Sequence, residues 1–210
     1  MAEIISKYSY EKAWAEIKAD IQEGKAEWLH SGDMIPVTLA DGSTVVLDVA
    51  RDEKGEIYFV FHDCLPVTRR MKNRTATNKG GWAATELRKW ANSEAFAMLP
   101  LDLQSVIAPT KIIQIVDGEP VECEDKLFCL SYTQVFGKGW TAVSAREPED
   151  SQLDIFKSER CRVKECGDNG THWWWLRSAN GSNNFRYVCS DGSSYYGAYF
   201  SGGVALGFKL

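Results

Sequence analysis

The stretch that decides the fold is Trp173-Trp174-Trp175-Leu176-Arg177-Ser178, which contains three of the eight tryptophans of this 210-residue chain. Successive side chains of a β-strand point to opposite faces, so we predict that Trp173 and Trp175 share one face and that Trp174 occupies the other. Each tryptophan brings a large apolar area that needs cover. The stretch therefore predicts a strand that is covered on both of its faces.

The rest of the chain favours a mixed helix and strand architecture. Apolar residues recur at helical spacing from Tyr10 to Glu23, which predicts an N-terminal amphipathic helix. Asp41-Gly42 predicts a hairpin within residues 35–49, and helical patterns follow at residues 82–90 and 93–99. Strands are expected at residues 111–116 and 127–130, and residues 137–170 read as long irregular loops. Because helices and strands come in separate clusters without a linker, we expect one α+β domain over residues 1–210.

The charge and hydropathy of the chain limit its partners. It has 24 Lys+Arg against 29 Asp+Glu, a net charge of -5, so no basic field is present to hold nucleic acid. No stretch approaches the roughly 20 apolar residues of a membrane span, so direct membrane insertion is not expected. Residues 1–10 lack the apolar run of a secretory signal, which predicts synthesis in the cytoplasm without a signal peptide.

The composition changes abruptly after Arg177. From Ser178 through Phe208 the chain has no Lys, Glu, Gln, Met, Trp or Pro, and it is filled by Ser, Gly, Asn and Tyr. This mixture is typical of a paratope, in which Tyr supplies rigid contact area and the small polar residues supply adaptable hydrogen bonds. Composition alone leaves a second interpretation open, in which the aromatic residues form the ladder of an ordinary β-rich lobe.

The missing residue types also have an interpretation in codons. Every residue from Ser178 to Phe208 can be encoded by a codon that ends in a pyrimidine, whereas Lys, Glu, Gln, Met and Trp cannot. Random replacement of adenines in Asn codons of a template would produce this set of residues.

The C-terminal segment, residues 174–210, is called the tail. Its framework resembles that of a known family. The segments Trp174-Trp175-Leu176-Arg177-Ser178-Ala179 and Gly203-Val204-Ala205-Leu206-Gly207-Phe208-Lys209-Leu210 enclose Phe185, Val188 and Asp191-Gly192. This arrangement resembles the variable proteins of diversity-generating retroelements, in particular gut bacterial and phage members with a C-type-lectin-like domain related to the formylglycine-generating enzyme fold. In that family an error-prone reverse transcriptase rewrites Asn-template codons near the 3′ end of the gene.

The resemblance implies a C-type-lectin-like fold with a diversified C-terminal region at residues 174–210, and it divides that region into two sets. The scaffold set is Trp174, Trp175, Arg177, Phe185, Val188, Asp191, Gly192 and Phe208. The ligand-binding, variable set is Asn180, Gly181, Asn183, Asn184, Arg186, Tyr187, Cys189, Ser190, Ser193, Ser194, Tyr195, Tyr196, Gly197, Tyr199, Phe200 and Gly202.

Among these positions we expect the energetic hot spots at the Tyr, Phe and Arg side chains, since Tyr and Arg dominate binding surfaces. They are Arg186, Tyr187, Tyr195, Tyr196, Tyr199 and Phe200. We expect Arg177 to anchor a buried polar contact and Phe185, Val188, Val204, Leu206 and Phe208 to lie in the core.

The function implied is recognition without catalysis. We expect a non-enzymatic protein that binds a protein or glycan receptor on a cell surface, in association with a virion or a surface-anchoring protein. We expect no catalytic residue, cofactor or metal. A fixed-specificity lectin-like module and a structural virion module are the alternatives, and an oxidase of the formylglycine-generating type ranks below them.

The cysteines and acidic residues offer other chemistry. Six cysteines without an export signal favour reduced thiols, although Cys161 and Cys166 with His172, Cys123 and Cys129 could supply a zinc site. An oxidase would need a fixed thiol pair such as Cys166 and Cys189, and Cys189 falls in the variable set. A calcium-dependent lectin needs several oxygen ligands, and the tail offers the Asp191 carboxylate alone. The acidic segment 147–150 is expected to be a solvated loop.

Overall fold

The computed structural model describes residues 2–4, 10–72, 75–167 and 170–210, with the backbone alone for residues 2–4 and 10. The strands are β1 (Ala2–Ile4), β2 (Tyr10–Lys12), β3 (Met34–Thr38), β4 (Thr44–Arg51), β5 (Ile57–Phe61), β6 (Thr68–Arg69), β7 (Thr110–Val116), β8 (Glu119–Asp125), β9 (Phe128–Cys129), β10 (Lys164–Glu165), β11 (Thr171–His172), β12 (Trp174–Asn180), β13 (Asn184–Val188), β14 (Ser194–Gly197), β15 (Gly202–Gly203) and β16 (Leu206–Phe208).

The α-helices are short and lie mainly in the first two thirds of the chain. They are α1 (Trp14–Gln22), α2 (Glu86–Trp90), α3 (Phe96–Met98), α4 (Leu101–Val106), α5 (Tyr132–Phe136) and α6 (Thr141–Ser144). A π-helical turn (Ala91–Ala95) joins α2 to α3. In the described part of the chain, 3₁₀ segments lie at Ala26–Trp28, Trp82–Ala84, Gly137–Gly139, Asp154–Lys157 and Glu159–Arg162.

Two five-stranded sheets form the centre of the molecule. One has the strand order β3-β4-β5-β16-β9 and the other has the order β14-β13-β12-β15-β6. The tail contributes to both sheets, because β12 to β15 lie in the second sheet and β16 pairs with β5 and β9 in the first. One hydrophobic core joins residues from both sheets and from α1, so the described residues form a single α+β domain, as the sequence predicts.

Strand β12, which contains Trp174 and Trp175, is covered on both of its faces, which confirms the prediction. Trp174 and Trp175 are fully buried. The Trp173 and Trp175 rings meet edge to face at 4.9 Å, whereas Trp174 packs against Phe156 at 6.3 Å. Each buried indole N–H donates to a main-chain carbonyl, which is the condition under which tryptophan can be buried without an energetic penalty.

The N-terminal helix and the first hairpin also lie where the sequence places them. In α1, Trp14 and Ile17 are buried, and Gly24 follows the helix with φ +68°. The hairpin of β3 and β4 turns at Asp41-Gly42, where Gly42 has φ +85°. A positive φ is accessible to glycine at little cost, which is why Asp-Gly predicts this turn.

Several regions differ from the sequence prediction. Residues 137–170, expected to be irregular, contain α6, β10 and short 3₁₀ segments, and residues 10–12 of the predicted N-terminal helix form β2. The two helical patterns expected at residues 82–99 form one run from α2 through the π-helical turn to α3, and Trp82 lies in the 3₁₀ segment before it. Strand β8 covers residues 119–125, which are not predicted as a strand from the sequence, and it includes Pro120. Proline is tolerated there because β7 and β8 form a two-stranded sheet, in which β8 is an edge strand.

The predicted core positions of the tail are buried. Phe185, Val188, Val204, Leu206 and Phe208 are each at most 1% exposed. Within the described part of the chain, no helix has the length and apolar character to cross a membrane.

Candidate binding surface

The surface formed by the tail is supported by a buried polar cluster that begins at Arg177. Its guanidinium donates to Asp150 at 2.5 Å, to the Gln134 side chain at 2.7 Å and to the Cys129 carbonyl at 2.9 Å. Arg177 is only 2% exposed, so its hydrogen bonds hold segments of the body, the part of the chain before residue 174, rather than a ligand. The buried polar contact expected of Arg177 is therefore present in the structure.

Ser178, the next residue along β12, continues this cluster. Its hydroxyl accepts from the Tyr132 N–H at 2.6 Å and donates to the Glu147 carboxylate, which also accepts from the N–H and hydroxyl of Thr133. Burial raises the pKa of Glu147, and the nearby Asp150 charge raises it further. These bonds fix the start of α5 beside the tail strands.

The cluster corrects the prediction that residues 147–150 form a solvated acidic loop. Glu147 is 1% exposed, and the Asp150 carboxylate is paired with Arg177. The acidic residues are drawn inward because Arg177 and Ser178, which lie 27 and 31 positions away in the sequence, supply the donors. The sequence of residues 147–150 alone does not indicate that Arg177 and Ser178 pair with its acidic residues.

The turn between β12 and β13 is held by side chains of the body through main-chain atoms. The buried Asn78 amide donates to the carbonyls of Gly181 and Asn184 at 3.0 Å each, and to that of Asn180 at 3.3 Å. Arg146 adds longer contacts to carbonyls in the same turn. Every residue type offers a carbonyl, so these contacts do not depend on which side chains the turn carries.

The structure places half of the sixteen candidate binding positions at the exposed surface. The exposed ones are Gly181, Asn183, Ser190, Ser193, Tyr195, Tyr196, Tyr199 and Phe200. The half-buried ones are Asn180, Asn184, Tyr187, Cys189 and Ser194. Singly exposed apolar side chains are common, whereas contiguous exposed apolar patches are typical of interaction sites. Here Tyr195, Tyr196, Tyr199 and Phe200 are 40–65% exposed and follow one another along β14 and the loop after it.

Three of the candidate positions are buried, which corrects their placement on an accessible surface. Arg186 is 2% exposed because Trp140, a residue of the body, lies 3.7 Å from its guanidinium. Gly197 and Gly202 are buried as well. A methyl group at Gly202 would overlap the indole ring of Trp173. The free space at these positions is set by packing, so they cannot accept every side chain.

Tyr187 belongs to an aromatic ladder across the sheet rather than standing alone at the surface. It pairs with Trp175 on β12 and with Tyr195 on β14. Its ring lies 4.7 Å from Trp173 and 6.0 Å from Tyr195. Cross-strand aromatic pairs of this kind stabilise a sheet. The ladder and the exposed tyrosines therefore coexist in the same strands, and both interpretations of the aromatic residues apply to different side chains.

Asp191 and Gly192 form a turn. The Asp191 carboxylate accepts from the Ser193 N–H at 2.9 Å, and Gly192 has φ +85°. The hydrogen bonds from Ser193 lower the pKa of Asp191. The Asp191 carboxylate therefore stabilises the turn through this hydrogen bond.

Several body residues next to the tail are missing from the sequence prediction. Trp140 is 43% exposed and packs on Arg186, and the Arg70 guanidinium lies 4.9 Å from the Tyr199 ring centroid. Asn78 and Tyr132 reach the tail strands through the contacts described above. All of them are distant from the tail in sequence, so no local motif could identify them.

The cysteine and histidine clusters do not coincide with this surface. Cys64 and Cys166 are buried with their sulfur atoms facing the Gly203 α-carbon, and Cys161 is exposed. Within residues 10–72, 75–167 and 170–210, no group of three or more His, Cys, Asp or Glu side chains could hold a metal ion. His62 pairs with Asp48, whose hydrogen bond raises the pKa of the imidazole.

A cleft on another part of the molecule is a second candidate site. It has a volume of about 620 Å³ and is lined by residues between Ile21 and Ile57. The Arg51 guanidinium in it donates to the carbonyls of Ala26 and Leu29 at 3.0 and 2.9 Å. Because the main cation of the cleft is engaged by the protein backbone, the tail surface is the stronger candidate.

The comparison with protein families assigns this chain to a family. Residues 47–206 match the family model described as Domain of unknown function (DUF6273), so the chain belongs to this family. No curated protein and no solved structure matches the chain.

Proposed function

We propose that this protein is a non-enzymatic recognition protein whose C-terminal surface is diversified by a retroelement. The body would have a C-type-lectin-like fold, and the tail would present replaceable Tyr, Ser, Asn and Gly side chains to a protein or glycan receptor on a cell surface. The setting proposed is a bacteriophage virion or a bacterial surface, in a gut community, with attachment through a partner protein.

The observation that carries the proposal is the way in which the turn at residues 180–184 is held. Asn78 donates to three main-chain carbonyls of this turn. Contacts to the main chain persist when side chains change, so Asn183 and Asn184 can be replaced while the turn keeps its position. Gly181, with φ +59°, is restricted to residues that tolerate a positive φ. Surface substitutions away from special features shift stability by about 0.5 kcal/mol or less, which allows specificity to change while the fold persists.

The chemistry of the exposed side chains supports the same proposal. The exposed positions carry four aromatic residues among Ser, Asn and Gly. Rigid aromatic side chains supply most of the binding energy at protein interfaces, and small polar residues adapt to the partner. The tail framework residues Trp174, Phe185, Val188 and Phe208 are buried, so the framework and the exposed set occupy different environments.

The first experiment is deep sequencing of the 3′ end of the gene and its flanking DNA across the source population. The expected result is substitution confined to residues 180–202, concentrated at the exposed positions, with adenines at the matching codons of a nearby template repeat. An invariant tail without a template repeat would contradict the proposal. The protein would then be a fixed-specificity module, to be tested against glycan arrays.

A matched pair of libraries tests the physical part of the proposal. One library randomises Asn183, Tyr195, Tyr196, Tyr199 and Phe200 with pyrimidine-ending codons, and the other applies the same codons to five buried positions of the tail. The buried positions are Phe185, Val188, Val204, Leu206 and Phe208. We expect most members of the first library to melt cooperatively near the parent and most members of the second to be unfolded. Equal loss in both libraries would contradict the proposal.

A further inference from the structure

Three aromatic side chains surround the guanidinium of Arg186. Its central carbon lies 3.7 Å from the ring centroid of Trp140, 5.3 Å from that of Tyr196 and 5.8 Å from that of Tyr132. Tyr132 and Trp140 meet edge to face at 6.2 Å. We call Tyr132, Trp140 and Tyr196 the aromatic cage. All three ring centroids lie within the distance of about 6 Å at which a cation is attracted to an aromatic ring.

The polar partners of Arg186 are few for a buried cation. Its Nη2 donates to the Asn180 side chain at 2.8 Å, and its Nε is buried without a hydrogen-bond partner. Among the ion pairs of the described residues, none includes Arg186. Burial lowers the pKa of Arg186, as expected for a cation that lacks a carboxylate partner. The aromatic faces are therefore the main groups that hold the charge.

Two walls of the cage belong to the body and stay in place when the tail changes. Tyr132 is fixed through its N–H bond to the Ser178 hydroxyl and by stacking on Phe136 at 4.9 Å. The Trp140 carbonyl accepts from the Ser144 hydroxyl at 2.7 Å. Trp140 and Tyr196 are 43% and 40% exposed, so the cage opens onto the candidate binding surface.

We propose that the aromatic cage is a cation-binding site that Arg186 fills in this chain, and that residue 186 determines whether the site is open. With a small side chain at position 186, the cage would accept a guanidinium or a methylated ammonium group from an Arg or methyl-Lys side chain of a protein ligand. The role of position 186 in ligand choice depends on the proposed function, whereas the affinity of the cage for cations does not.

The test uses the full chain with Arg186→Ala and two small probes of similar shape, ethylguanidinium and the neutral ethylurea. Binding is followed by the NMR signal of the Trp140 indole N–H at millimolar probe. We expect Arg186→Ala to bind ethylguanidinium about tenfold more tightly than ethylurea. The parent protein, whose cage is occupied, should show no saturable shift. Equal affinity for both probes would overturn the proposal.

A second variant identifies the cage as the site of binding. Trp140→Leu combined with Arg186→Ala should remove the preference for ethylguanidinium, because Trp140 lies closest to the cation. Retention of that preference in the double variant would overturn the assignment of the site.

A further pair of variants keeps the proposal testable if Arg186→Ala does not fold. Arg186→Lys retains the charge, and Arg186→Gln removes it while keeping a polar side chain of comparable length. We expect the urea midpoint of Arg186→Lys to lie nearer to that of the parent than the midpoint of Arg186→Gln. Equal midpoints would show that the cage does not select for charge. Population sequencing at codon 186 tests the proposed function separately, so the failure of one is distinguishable from the failure of the other.

Discussion

Substitution of Asn78 by Ala tests how the body holds the candidate binding surface. The Asn78 amide is 4% exposed and has two protons, which serve carbonyls of Gly181 and Asn184 at 3.0 Å, with Asn180 at 3.3 Å. Each hydrogen bond contributes about 0.5–1.5 kcal/mol net, and the carbonyls left without a partner add a desolvation cost. Two full bonds therefore predict that Asn78→Ala lowers the free energy of unfolding by about 1–3 kcal/mol.

The measurement is urea unfolding combined with hydrogen exchange of the β13 amides. For a chain of this size, each kcal/mol corresponds to about 2–4 °C in melting temperature. Amide exchange should accelerate in β13 more than in β4, because the Asn78 hydrogen bonds that are lost hold the turn next to β13. The matched control is Asn183→Ala in the same turn, which is exposed and should change stability by about 0.5 kcal/mol or less. A cost below that of the control, or unchanged exchange in β13, would refute the reasoning.

Three other predictions follow from buried or paired groups. The hydrogen bond with Asp48 raises the pKa of His62 above its ordinary value of 6.5. The pair therefore stabilises the fold fully below about pH 6.5. This stabilisation is lost as the pH rises through the pKa of His62 in the folded state. Urea midpoints from about pH 5 to 9 should show this loss, and Asp48→Asn should remove it. Gly202→Ala should cost about 1–3 kcal/mol through overpacking, whereas Gly139→Ala, with open space around it, should not; equal melting temperatures would contradict this. Arg177→Lys keeps the charge but leaves buried acceptors of the guanidinium without a donor, and it should cost about 1.5–3 kcal/mol in chemical unfolding. A cost under about 1 kcal/mol would show that the cluster is not needed.

The buried polar cluster and the proposed recognition surface are mechanically related. Arg177 and Ser178 lie on β12 and point their donors at α5 and at the segment that ends at Asp150. Those body segments carry Tyr132 and Trp140, the two fixed walls of the aromatic cage. The tail framework thus positions body side chains next to its own exposed positions, so the proposed recognition surface would be a composite of both parts of the chain.

The sequence by itself determined the elements whose signals are local. Alternation along Trp173 to Trp175 predicted the strand covered on both faces, Asp41-Gly42 predicted the first hairpin, and the tail framework predicted the buried set that includes Phe185 and Phe208. These predictions succeeded because strand alternation, turn conformation and apolar burial are properties of adjacent residues. The change of composition after Arg177 likewise indicated where exposed aromatic residues lie.

Tertiary structure alone decided which tail positions are open to a ligand. Arg186 is buried because Trp140 packs on it, and Gly202 is confined because the Trp173 ring occupies the space in which a side chain would lie. Asn78 supports the turn from a position about a hundred residues earlier in the chain. Exposure and free volume depend on which distant segment folds over a residue. Local spacing carries no information about that segment, so the exposed positions of the tail could be identified only from the tertiary structure.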